Sequence, residues 1–194
     1  MGTHMTDDNI LPLEIARWAN EAWVKDCLSQ GGLKPSDVMD LDPNRPITSI
    51  GSTLLHLTAI CPHRPSKEVS RIAMRFFLEQ RGADPNTADE YGRTPLVSFL
   101  LSPISWYDDP SYGVDGLQLL FRHGADANVL FTPDFVGIAE CEHWRLVHHC
   151  IYAAALWGAR TVPPEMMKLL SQHWNAALPD GRGRRLPDYQ SISR

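Results

Sequence analysis

Residues 81–96 read RGADPNTADEYGRTPL, and this stretch sets the architecture expected of the whole chain. Gly82 can take the left-handed backbone conformation that ends a helix without a Cβ penalty. Asp84, Pro85 and Asn86 suit one tight turn, and Asp89 to Gly92 suit a second. Thr94 can cap a new helix with its hydroxyl while Pro95 sits at the first helical position, where its missing N–H costs nothing. The segment therefore stops one helix, forms a hairpin-like finger and starts the next.

The same punctuation returns elsewhere. Gly51-Ser52-Thr53-Leu54-Leu55-His56-Leu57 matches Gly92-Arg93-Thr94-Pro95-Leu96 at an offset of 41, and Gly124-Ala125-Asp126-Ala127-Asn128 matches Gly82-Ala83-Asp84-Pro85-Asn86 at an offset of 42. The Gly-Ala-Asp turn and the Thr-Pro-Leu helix start resemble the ankyrin-repeat family. The resemblance spans roughly residues 12 to 187 and is most specific around 81–96 and 124–128. It implies an all-α ankyrin-repeat solenoid of about four helix pairs with protruding β-hairpin-like fingers. It also implies partner binding along the concave side, formed by fingers and first helices, without a cofactor. His56 stands at the family histidine, whose side chain hydrogen-bonds backbone between repeats.

Working outward, MGTHM at 1–5 looks like a cloning scar. Leu11 to Ala19 and Glu21 to Gln30 read as two short helices, and residues 6–36 as a divergent N-terminal capping repeat. Trp18 and Trp23 are expected to cover its end. Pro35-Ser36 is expected where Pro85-Asn86 stands later, and 38–50 as an extended finger. Residues 37–178 read as ankyrin-like repeats longer than the family's unit of about 33 residues. Insertions at 61–66 (CPHRPS) and 102–113 (SPISWYDDPSYG) account for the excess, and the second is expected as a loop. Helices are expected over 67–81, 94–101, 114–123, 145–157 and 161–173, with a third finger over 130–142. His173 stands where a terminal Gly would be. Asp180-Gly181-Arg182-Gly183-Arg184 repeats the spacing of Asp89 to Arg93, so 179–194 reads as a partial repeat or tail.

The chain has 194 residues with 43% apolar types, enough for a sizeable core. The longest apolar run, 151–159, is too short to span a membrane, and four cysteines without a regular framework point to a reducing cytoplasmic or nuclear setting. Net charge is −5, and 179–194 holds four arginines against two aspartates, leaving 14 basic and 21 acidic groups elsewhere. Such a body suits a basic protein or peptide as partner and disfavours direct nucleic-acid contact, a membrane surface or a small-molecule substrate.

Three groups of side chains carry possible chemistry. The finger residues Asp40, Asp42, Asp89, Glu90, Tyr91, Arg93, Phe131, Asp134 and Phe135 are candidate partner contacts, although polar tips are often only solvated turns and the phenylalanines can equally be buried. Trp106, Tyr107, Asp109 and Tyr112 hold the ingredients of a cage for a modified lysine. The same residues also describe a loop folded back on its neighbour. Cys141, His143, His148, His149 and Cys150 are rich in metal-ligand types, yet His148 and His149 would point about 100° apart on a helix. No GxSxG, phosphate loop or HExxH is present, so no catalysis, metal or cofactor is expected.

Overall fold

The computed structural model describes residues 7–60, 67–102, 109–132, 144–148, 150 and 162–185. It is mostly helical. Helix α1 (Asp7–Ala19) starts ahead of the expected Leu11 and carries Pro12; α2 (Ala22–Gln30) follows after a two-residue break. A 3-10 turn, Pro35–Asp37, leads into the first finger, where the Lys34 N–H donates to the Asp37 carboxylate at 2.8 Å.

Two kinds of helix alternate after that. The short α3 (Leu54–Ala59) is buried at every position, and the short α5 (Pro95–Leu101) at six of its seven. Largely apolar and covered on all sides, they are interior elements. Thr94 caps α5 as its sequence predicts, its hydroxyl accepting from the Val97 N–H at 3.4 Å. The longer α4 (Lys67–Glu79) turns Val69, Ala73, Met74, Phe76 and Phe77 inward and Glu68, Arg75 and Glu79 outward. Likewise α6 (Pro110–Arg122) buries Leu117, Leu119 and Leu120 and exposes Asp115, Gln118 and Arg122. Last comes α7 (Pro164–Ser171), which buries Met166 and Leu170.

Packing runs from neighbour to neighbour. Helix α1 rests on α4, α4 on α3 and α6, α3 on α5, and α6 on α7. Trp18 meets Phe77 edge-on at 5.5 Å, closing the first end of the core. Gly82 and Gly124, at φ 66° and 85°, hold equivalent positions after α4 and α6. Past Gly124 the Ala125 N–H returns to Leu120 O at 3.1 Å, and past Gly82 the Ala83 N–H returns to Phe77 O at 2.9 Å. These closures catch carbonyls that a helix end would otherwise leave unpaired.

Two expectations fail here. Residues 102–113 are not loop throughout, because α6 begins at Pro110. Asp109 caps it, accepting from the Tyr112 N–H at 3.2 Å and the Ser111 hydroxyl at 2.5 Å. Arg145 belongs not to a helix but to a hairpin: strand β1 (Leu130–Phe131) pairs antiparallel with β2 (Trp144–Arg145), with Leu130 opposite Arg145 and Phe131 opposite Trp144. Helical residues follow at 146–148 and 150. The insertion at 61–66 and residues 103–108 lie outside the described residues. Among the described residues no helix is long and apolar enough to cross a membrane.

Candidate functional site

One edge of the molecule is built from a repeated asparagine rung. The Asn44 amide donates to Gly82 O at 3.4 Å and its carbonyl accepts from the Asp84 N–H at 2.7 Å. Asn86 does the same to Gly124 O (2.9 Å) and the Asp126 N–H (2.8 Å). Asn128 does it to His173 O (3.3 Å) and the Asn175 N–H (2.6 Å). Within each turn a carboxylate two residues earlier steadies the rung: Asp42 accepts from the Asn44 N–H, Asp84 from that of Asn86, and Asp126 from that of Asn128. This corrects the expected register, since Asp42-Pro43-Asn44 and not Pro35-Ser36 takes the place of Asp84-Pro85-Asn86. The extra 3-10 turn after α2 shifts the first unit. His173 does stand in the place of Gly82 and Gly124, as the sequence suggests.

The fingers repeat a second device. The Asp89 N–H donates to Arg93 O at 2.9 Å, Asp89 Oδ1 accepts from the Tyr91 and Arg93 N–H groups, and Oδ2 pairs with the Arg93 guanidinium at 2.7 Å. Asp180 reproduces every part of this with Arg182 and Arg184. In the first finger Thr48 stands in for the aspartate, its hydroxyl accepting from the Ser52 N–H at 3.0 Å. Consecutive fingers also touch directly. The Glu90 N–H donates to Ile50 O at 2.9 Å, and the Thr132 N–H donates to Tyr91 O at 2.8 Å.

Behind the fingers lies His56, fully buried. Its Nδ1 accepts from the Thr53 N–H at 3.1 Å, so Nε2 carries the proton and donates to Arg93 O at 2.9 Å. One imidazole thereby ties the start of α3 to the next finger, the structural role implied by the resemblance. Burial, chiefly, holds its pKa below the ordinary histidine value. His148 is equally buried and is depressed by the same cause, with Asp180, Arg145 and Arg184 as the charges around it. Arg145 bonds across to Pro179 O at 2.6 Å and to Asn128 O.

The candidate contacts divide. Asp40, Asp42 and Glu90 are exposed, and Tyr91 is 39% exposed. Asp89 is buried and holds its own finger together, and Arg93 is its partner, with the guanidinium 4.7 Å above the Tyr91 ring. Both therefore serve the finger's own structure. Tyr112 is also buried, beside Phe99, with its ring 5.5 Å from the Lys67 ammonium. Asp109 is committed to the α6 cap, and its pKa is held low mainly by the Ser111 hydroxyl and then by the Tyr112 N–H. Phe131 is fully buried. Trp106, Tyr107, Asp134 and Phe135 lie outside the described residues.

Of the Cys and His group, Cys141, His143 and His149 lie outside the described residues. Cys150 is buried, and burial pushes its thiol up to about 12. Among the described residues no three His, Cys, Asp or Glu side chains converge as a metal site. One exposed residue of the expected third finger does not figure among the candidate contacts. Leu130, 40% exposed, sits beside Gly92, where a Cβ would fall 2.7 Å from Leu130 O. No protein-family model matches the chain, and no curated protein matches it either.

Proposed function

We propose that this chain is an ankyrin-type helical solenoid whose finger edge recognises a segment of a partner protein. The supporting observation is the recurrence of one rung in three successive layers. Asn44, Asn86 and Asn128 each bridge to a helix-ending carbonyl and to the N–H two residues beyond it. A chance turn does not repeat both halves of a bridge. Stacked helix pairs share their apolar faces and leave a rigid edge for binding. Little conformational entropy is then lost on docking.

The acidic balance of the chain favours a basic protein or peptide, held in a cytoplasmic or nuclear setting, with no catalysis and no cofactor. The modified-lysine reading has less support, because the Tyr112 ring is already covered by the chain's own Lys67. The metal reading has less support, because no three His, Cys, Asp or Glu side chains converge among the described residues.

Selection of a random-peptide display library on the immobilised full chain tests the proposal. Enrichment of a consensus rich in Lys or Arg is expected, with association that slows as salt is raised. Failure to enrich any consensus would overturn partner recognition. Solution scattering from a near-spherical particle would overturn the solenoid.

A further inference from the structure

We infer that Glu90, Tyr91 and Leu130 form a docking point for an extended peptide that sets one aliphatic side chain against Tyr91 and Leu130 and one lysine or arginine beside Glu90. This rests on the partner-recognition reading above and names the chemistry of the segment that fits.

Large apolar side chains left in water are few among the described residues: Leu13, Ile60, Tyr91 and Leu130. The last two belong to adjacent fingers that are bonded together. The Thr132 N–H donates to Tyr91 O at 2.8 Å, and the Leu130 carbonyl passes so close to Gly92 that no larger residue fits there. Tyr91 and Leu130 thus stand on neighbouring fingers, at a contact that cannot open without breaking that backbone hydrogen bond.

The pair is also rigid. The Glu90–Tyr91 dipeptide is bonded from both sides, its N–H to Ile50 O of the preceding finger and its last carbonyl to Thr132 of the following one. The Tyr91 N–H donates to Asp89 at 2.9 Å. Above the ring lies the Arg93 guanidinium, itself fixed by Asp89. An aromatic held this way loses little freedom when a ligand side chain covers it.

Charge then chooses the ligand. Asp89 and Arg93 neutralise each other, and Glu90 is exposed with no ion pair among the described residues. A single unpaired carboxylate beside the apolar pair attracts a cation and repels an anion. In an extended peptide, side chains two residues apart share a face, so one spacing presents both groups together.

The experiment titrates the isotope-labelled full chain with Gly/Ser host octapeptides carrying Lys-Ser-Leu, Leu-Ser-Lys, Glu-Ser-Leu or Lys-Ser-Ser at the centre, read by backbone amide shifts. At least one of the two Lys/Leu orders is expected to move the amides of Glu90, Tyr91 and Leu130. It should bind about fivefold or more tightly than the Glu or Ser version, the factor for roughly 1 kcal/mol. Tyr91→Ala should lower that affinity by a similar factor, and Glu90→Lys should invert the preference between the Lys and Glu peptides. Equal affinity for all four peptides, or shifts confined to other residues, would overturn the docking point. Failure of this assignment is separable from failure of partner recognition. A library-selected peptide whose binding ignores both Tyr91→Ala and Glu90→Lys overturns the docking point alone, and a library with no selection overturns both.

Discussion

His56 shows how much of the fold hangs on one protonation state. Its Nδ1 must stay bare to accept from the Thr53 N–H while Nε2–H holds Arg93 O. Protonating Nδ1 would set two donors face to face in a buried place. His148 lies in a similar surrounding, with Asp180, Arg145 and Arg184 in place of the Asp89 and Arg93 that face His56. Both folded-state values are depressed, so the unfolded chain takes up protons first as pH falls. Their contribution is therefore whole above the unfolded value, about 6.5, and is lost as pH drops through the lower folded values. Urea midpoints at pH 7.5 and 5.0 check this: the midpoint should be clearly lower at pH 5.0, and less so in His56→Gln, whose midpoint at pH 7.5 is itself reduced. An unchanged midpoint in the parent chain would refute it. At this scale the helix-starting motif with its histidine was legible in the sequence because its residues bond locally. The partners of Asp89 and Tyr112 were not. Both types are common at exposed tips, and it is the folded finger around Asp89 and the Phe99 and Lys67 contacts of Tyr112 that commit them inward.

Among the elements, α6 departs most from its sequence pattern. Gly113 and Gly116 interrupt its apolar stripe, and Pro110 after two aspartates reads as a break, so the start expected was Val114. The structure uses Pro110 at the first helical position behind the Asp109 cap, where proline's fixed φ suits a helix. Gly116 then has a packing reason. A Cβ there would fall 2.5 Å from the tip of Phe99, which is fully buried and packed beside Tyr112. Two effects oppose each other in Gly116→Ala. Helix propensity favours alanine by about 1 kcal/mol, while overpacking a closed core costs about 1–3 kcal/mol. Phe99 has no exposed side to turn toward, so overpacking should win. A net loss of about 1 kcal/mol in chemical denaturation is expected, and a stabilised Gly116→Ala chain would show that the ring moves aside. Removing 102–113 as one block would delete the cap and first turn of α6, so a drop in stability there says nothing about binding.

Across the whole molecule, stability should be divided among layers and not shared as one unit. Helix α7 packs on α6, the imidazole of His173 stacks on Phe121 at 3.8 Å, and Asn128 joins their turns by two hydrogen bonds. Helix α1 lies at the other end, against α4. The repetition of the asparagine rung was readable from the recurring glycine, aspartate and asparagine spacing. The register of the first unit was not, because one 3-10 turn moved it. If each layer is coupled mainly to its neighbours, weakening the last rung should loosen only what lies beyond it. Asn128→Ala removes its amide's bond to the Asp126 carboxylate and the two partly solvated bonds of the rung, which together contribute about 1–2 kcal/mol. Native-state hydrogen exchange should then quicken about five- to thirtyfold in 164–175. Amides of α1 and α4 should keep their protection. Asn86→Ala makes the control, since its rung is interior and joins the ends of α4 and α6. There the loss should reach both flanks and lower the protection of α4 as well as α6. Equal loss at every amide in Asn128→Ala would mean that the helices unfold together, and the layered description would fail with it.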